Sequence, residues 1–234
     1  MDLRENLQDN DLEEDALLLI EQNFYFLHAG EFFTSLSKRK NLTTNNNLNI
    51  KKYFDNGSIY YFNPNIVKEM LLDAKKSDKY QTILFEYFVQ FNAFRGICMA
   101  MVEVLRLDTQ FKYFIQTKLQ TKFEDFFDIL SFIRNVLSHN IHADIFLEQK
   151  DFDGTLKRIR RMKRDSNILF EFTYSKDLPE LNSPIEEYGF SSQIDFESLK
   201  KDIPFLQIIS LMELMMISEL CFNFVIVYKN KKTI

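Results

Sequence analysis

The sequence predicts a mainly α-helical protein, a bundle of long helices with a β-hairpin insertion near residues 156–174, and three observations lead there. With only 5 Gly and 4 Pro among 234 residues, helix breakers are scarce and a sandwich or barrel built on frequent tight turns is disfavoured. Apolar residues recur at helical spacing through 11–38 and 121–142, and 79–107 and 203–228 are long apolar segments. Period-two alternation with strong β-propensity marks Ile168–Tyr174. A hydrophobic share of 46% with 25 Phe supplies a sizeable core. The chain therefore reads as one helical domain over 1–234, with a loop insertion at 39–63 and a basic hairpin at 155–175.

The first helix covers 11–38, with Leu12, Ala16, Leu19, Ile20, Phe24 and Leu27 on its apolar side and acidic residues in the first turns, where the helix dipole favours them. His28 lies on or beside that side and reads as a packing residue. From Arg39 the pattern breaks into Asn clusters and an Asn56-Gly57 pair, which are loop signals. Within it Ile59–Phe62 could be a short extended piece. Pro64 opens a second helix running to about Ser77. Residues 79–107 form a nearly continuous apolar segment, a central core helix in which the direction of Arg95 stays open.

Beyond the 121–142 stretch, Thr155–Arg164 is followed by Asp165-Ser166-Asn167 and then by the alternating segment, which together read as the hairpin. Residues 177–194 read as a surface loop, and a short helix starts at Asp195 and ends before Pro204. The last helix, 203–228, is apolar enough to raise the question of a membrane span. Gln207, Glu213, Glu219 and Asn223 would each be costly in hydrocarbon, which favours a buried helix or dimer face and no membrane partner.

A net charge of −5 excludes a broad basic field that would gather nucleic acid, so any polyanion contact must be local. Six of the eight residues Lys157–Arg164 are basic, and Lys157, Arg158, Arg160, Arg161, Lys163 and Arg164 are the candidate RNA-binding patch. A solvated charged strand explains them equally well. Cys98 and Cys221 stand in separate apolar segments without metal-ligand spacing and read as buried free thiols, in keeping with a reducing cytoplasm. The acidic N-terminus lacks the basic-then-apolar pattern of a signal peptide.

The stretch 121–142 organises the rest. At about 100° per residue, Phe123, Phe126, Phe127, Leu130, Ile133, Leu137 and Ile141 fall on one side, and Glu124, Asp128, Ser131, Asn135, His139 and His142 on the other. A buried helix has no need of that polar stripe. Arg134 sits at the border, where its stem can lie on apolar surface while its guanidinium reaches over the stripe.

Arg134-Asn135-Val136-Leu137-Ser138-His139 resembles the R-x(4–6)-H signature of the HEPN superfamily, including the polar residue that often follows the arginine. The resemblance implies a HEPN-like helical bundle, and a metal-independent endoribonuclease cutting RNA by 2′-hydroxyl attack, of the kind that serves as a toxin or phage-defence effector. It also implies a homodimer with paired motif helices, and an antitoxin or other protein as a further partner. The catalytic candidates are Arg134, Asn135 and His139: the imidazole exchanges protons near neutrality, the guanidinium can hold two phosphate oxygens, and Asn135 can orient the imidazole or the substrate. No cofactor is called for.

A metal site built from His139, His142, Asp144 and Asp128 has helix-compatible spacing, but no Cys and no H-E-x-x-H pattern accompany it. The metal-free reading is preferred. No Gly-rich phosphate loop or G-x-S-x-G elbow occurs. The alternative function is a non-catalytic HEPN-like helical module that binds a nucleotide, RNA or a protein partner.

Overall fold

The computed structural model describes residues 9–37, 50–53, 57–62, 79–140, 145–181 and 186–232. The chain divides into two compact units, Met1–Phe26 with Phe91–Ile234, and Leu27–Gln90. Helices α1 (Asp9–Ser37) and α2 (Lys79–Leu107) contribute residues to both, and both match the spans that their apolar spacing predicts. The helix expected from Pro64 to Ser77 lies outside the described residues.

In the Leu27–Gln90 unit, the described part of the 39–63 segment is a two-stranded antiparallel pair, β1 (Ile50–Tyr53) with β2 (Ile59–Phe62). Ile50 faces Phe62 and Tyr53 faces Ile59. Gly57 sits between the strands at φ 80°, a conformation that a residue without a Cβ adopts at no steric cost. The extended piece at Ile59–Phe62 is therefore one half of a hairpin. His28, expected to pack, is exposed.

The larger unit is built around α4 (Phe123–His139). It is preceded by α3 (Thr109–Leu119) and a 3-10 turn at Gln120–Lys122. The helix expected from the 121–142 stretch thus begins its α-helical course at Phe123, because Gln120 takes φ 50° and breaks the ladder. Helix α3 has no counterpart in the sequence reading. Its N-cap is Asp108, whose carboxylate accepts from the Phe111 N–H at 2.8 Å and from the Tyr228 hydroxyl at 3.0 Å. Phe111, Ile115 and Leu119, four residues apart, are buried.

On α4, Phe126, Ile129, Leu130, Phe132, Ile133, Val136 and Leu137 are sealed from solvent. Phe126 meets Phe170 at 5.3 Å and Phe224 at 5.9 Å between ring centroids, while Phe132 meets Phe196 at 5.6 Å. One helix thus anchors aromatic contacts to three later segments.

The hairpin expected near 156–174 is not formed. Gln149–Arg161 is helix α5, and the sheet pairs β3 (Asn167–Thr173) with β4 (Gly189–Asp195), Phe170 facing Ser192. The reason is local: Phe152, Thr155, Leu156 and Ile159 recur at helical spacing and bury, and the Glu148–Asp151 capping box starts the helix upstream of the basic run. β3 buries Ile168, Phe170 and Phe172, as its alternation requires. Its partner comes from the segment read as a surface loop, where Ser192 and Ile194 turn inward. Between the strands lie a single turn, α6 (Tyr174–Asp177), and a 3-10 turn at Pro179–Leu181.

The short helix expected from Asp195 is a turn, in which Asp195 accepts from the Glu197 N–H at 3.1 Å. The last helix is split: α7 (Phe205–Ile208) is followed by a break and then α8 (Leu211–Lys232). The restart is a reciprocal cap, with Ser210 N–H donating to Glu213 at 2.8 Å and Glu213 N–H donating to the Ser210 hydroxyl at 3.2 Å. By length and composition α8 could cross a membrane. Here it packs Phe224 against Phe126 and Phe172, stacks Phe222 on Phe24 at 4.4 Å, and ties Lys229 to Glu21 at 2.5 Å.

Cys98 and Cys221 are both buried and unbonded, and burial pushes the Cys98 thiol up to about 12. The apolar faces of α4 and most of α8 are consumed inside the chain. Apolar side chains left in solvent concentrate instead on α1, at Leu18, Leu19, Tyr25 and Phe26.

Two outcomes test this packing. A Cβ at Gly189 would lie 2.0 Å from the Phe172 carbonyl oxygen, so Gly189→Ala should destabilise the β3–β4 pairing by about 1–3 kcal/mol and lower the melting temperature seen by circular dichroism. An unchanged melting temperature would show that β4 accommodates a side chain there. Burial disfavours the charged form of Glu180, yet bonds from Lys118 and Lys231 outweigh it and hold the carboxyl at about 2. Its folded value lies below the ordinary 4.5, so the stability it adds is complete above that pH and is lost as the pH falls toward 2. The melting-temperature gap between wild type and Glu180→Gln should therefore close on acidification; a gap that is constant from neutral pH to pH ~2.5 contradicts it.

Candidate active site at the end of helix α4

Helix α5 lies antiparallel along the polar stripe of α4, and the stripe divides into a closed half and an open half. In the closed half Asp128, with no exposed surface, receives both Arg158 and Arg164, the latter at 2.6 Å. Arg158 also pairs with Glu124, Arg164 with Asp125, and the Arg158 guanidinium lies 4.6 Å from the Phe127 ring centre. Arg164 reaches back because Lys163 takes φ 55° and turns the chain, the Arg164 N–H returning to the Ile159 carbonyl at 3.2 Å. Burial raises the Asp128 carboxyl above its ordinary range while the two arginines pull it down.

This placement divides the six candidate RNA-binding residues. Arg158 and Arg164 face inward and bind carboxylates. Arg160 makes a loose surface pair with Glu197 at 3.5 Å. Lys157, Arg161 and Lys163 are exposed. A surface patch survives, smaller than the run of six suggests and carried by a helix and its C-terminal turn.

The open half is the C-terminal turn of α4. Arg134 donates to Asn135 Oδ1 at 3.0 Å, and Asn135 Nδ2 donates to the Asp151 carbonyl at 3.4 Å. His139 Nδ1 stands 3.2 Å from Asp151 Oδ1. The three predicted catalytic residues are thus linked through Asp151 into one hydrogen-bonded chain. The His139 side chain is 41% exposed, whereas Asp151 has no exposed surface.

Asp151 is the residue that sequence reasoning missed. It occupies the third position of α5, where its Oδ2 accepts from the Glu148 N–H at 2.8 Å while the Glu148 side chain accepts in return. The signal was present as Glu148-x-x-Asp151 ahead of the apolar spacing of Phe152 to Ile159, a helix-start pattern.

The end of α4 is pinned by α2, which settles the direction of Arg95. Its Nε donates to the Leu137 carbonyl at 2.5 Å and its Nη2 to the Asn140 carbonyl at 2.8 Å, with Nη1 held by Asn92 at 2.8 Å. A cation on the last carbonyls of a helix satisfies groups with no intrahelical partner and opposes the dipole. Asn140 adds a bond from its Nδ2 to the Val136 carbonyl at 2.8 Å.

Among the described residues no group of three His, Cys, Asp or Glu side chains is placed to hold a metal. Asp128, one of the considered ligands, is engaged by two arginines, and His142 and Asp144 lie outside the described residues. What the arrangement can do is exchange a proton through a half-exposed imidazole with one nitrogen anchored, on the same helix end as a guanidinium bonded to a neutral amide.

The closed half predicts a structural effect. Arg158→Ala leaves the buried Asp128 with Arg164 alone and should cost stability toward the lower end of about 3–5 kcal/mol, read as a shifted urea midpoint. A variant as stable as wild type would mean that the cluster does not hold α5 to α4. Comparison of the chain with protein-family models, with curated proteins and with solved structures returns no match.

Proposed function

We propose that the protein is a HEPN-like, metal-independent endoribonuclease whose catalytic residues are Arg134, Asn135 and His139. One observation carries the reading: the structural work open to an arginine at 134 is done by others. Asp128 is neutralised by Arg158 and Arg164, and the end of α4 is bound by Arg95. Arg134 is left bonded to the neutral Asn135 amide, with its charge available for a phosphate.

The reaction this supports is transesterification. His139 accepts the proton of a ribose 2′-hydroxyl, the 2′-oxygen bonds to phosphorus, and the bond from phosphorus to the 5′-oxygen breaks. The products are a cyclic 2′,3′-phosphate and a 5′-hydroxyl, the leaving oxygen taking a proton from a second acid. Arg134 stabilises the charge that grows on the non-bridging oxygens. One imidazole in the motif of each chain fits a homodimer, in which the motif helix of a second copy supplies the second acid. Lys157, Arg161 and Lys163 are the surface cations suited to the flanking phosphates.

The test is purified protein with RNA in EDTA, the 3′ ends of the fragments being analysed for cyclic phosphate. His139→Ala and Arg134→Ala should each lower the rate about a hundredfold or more with the melting temperature nearly unchanged, since neither side chain fills core volume. Absence of cleavage by the wild type, or cleavage that His139→Ala leaves undiminished and that therefore comes from a contaminating nuclease, would move the reading to a helical module that binds RNA, a nucleotide or a protein without cutting. Activity that needs a divalent metal would exclude the metal-free mechanism. A monomer mass by light scattering at micromolar concentration would exclude the paired-helix site.

A further inference from the structure

From the geometry around α5 we infer that Asp151 is the positioning residue of His139: its carboxylate holds the imidazole as the Nδ1–H tautomer and presents Nε2 as the reactive atom. The inference deepens the ribonuclease reading and rests on it for its catalytic consequence. The structural half stands independently.

Asp151 Oδ1 lies 3.2 Å from His139 Nδ1, and its other oxygen accepts from the Glu148 N–H at 2.8 Å. A carboxylate has no proton to give, so the proton in the contact to the ring must sit on Nδ1. Neutral imidazole then carries its lone pair on Nε2. The carboxylate cannot swing away, because it is fully buried and its second oxygen closes the capping box of α5. Its backbone is tied in as well, the Asp151 carbonyl receiving Asn135 Nδ2 at 3.4 Å. The His139 side chain as a whole is 41% exposed and Asp151 occupies Nδ1, which leaves Nε2 as the nitrogen for a substrate.

Two features separate this pair from a surface ion pair. The ligated oxygen belongs to a side chain with no exposed surface, and the two residues come from antiparallel helices whose register is set further along by Asp128 with Arg158. Arg158 stands seven residues after Asp151, two turns on the same face of α5. Formation of the first turn of α5 and alignment of the imidazole are therefore one event.

The experiment uses the full chain without RNA, His139 being assigned by comparison with His139→Ala. Long-range proton–nitrogen correlation spectra of the neutral imidazole should show Nδ1 protonated and Nε2 bare. In Asp151→Asn the amide oxygen can still take the Glu148 N–H, while its NH2 can no longer accept from the ring, so the proton should move to Nε2. With RNA, Asp151→Asn should lower kcat about tenfold or more and leave KM within about twofold, as expected for a group that orients another. Glu148→Gln, which keeps a capping side chain, should leave the tautomer as in wild type.

A wild-type His139 found in the Nε2–H form overturns the inference, even if Asp151→Asn fails to fold. A tautomer unchanged in a folded Asp151→Asn also overturns it. An Nδ1–H tautomer that moves in Asp151→Asn, in a protein that cuts no RNA, supports the positioning role and defeats the ribonuclease reading.

Discussion

A buried carboxylate between two guanidinium groups is the constraint on which the larger unit depends. Taking Asp128 out of water costs several kcal/mol, and only well-placed opposite charge offsets that cost. Arg158 and Arg164 supply it from two places in the chain, one inside α5 and one beyond its C-terminal turn. A slip of α5 by one residue would rotate Arg158 by about 100° and strand the charge. The pair therefore fixes α5 on α4 in rotation as well as along the axis, and that register brings Asp151 to His139.

Four arginines act on or around α4, with three kinds of partner. Arg158 and Arg164 bind carboxylates, Arg95 binds main-chain carbonyls, and Arg134 binds a neutral amide. The planar fork suits all of these geometries, which is why lysine would be a poor substitute at any of them. The distribution also bears on electrostatics: a run that is strongly basic in sequence spends part of its charge internally. A polyanion would meet the helical surface at Lys157, Arg160, Arg161 and Lys163, not a strand of alternating cations.

Where burial follows a period, the sequence was legible. The spans of α1, α2 and α4 follow from their apolar spacing, and the alternation of β3 from Ile168, Phe170 and Phe172. The stripe on α4 was legible as a face, and within it Asn135 and His139 were found. What could not be read was which part of that face another helix would cover, because a polar residue that meets solvent and one that meets a buried guanidinium look alike in one dimension. α5 was misread because its cations dominate the window and the start signal lies upstream at Glu148. β4 escaped because its pairing with β3 is long-range, across a connection from Thr173 to Gly189 too long for a two-residue turn signal to mark. α3 was passed over although Asp108 is a standard cap.

The two thiols carry a practical consequence. Both cysteines sit in the apolar interior, and desolvation keeps each sulfur in its unreactive neutral form at physiological pH. The folded protein therefore offers thiol-directed electrophiles no accessible sulfur. A cysteine introduced on the outer face of α5, at Lys157 for example, would be the one labelling handle without removal of either native thiol. A spin label or fluorophore placed there could follow the motion of α5 against the rest of the chain.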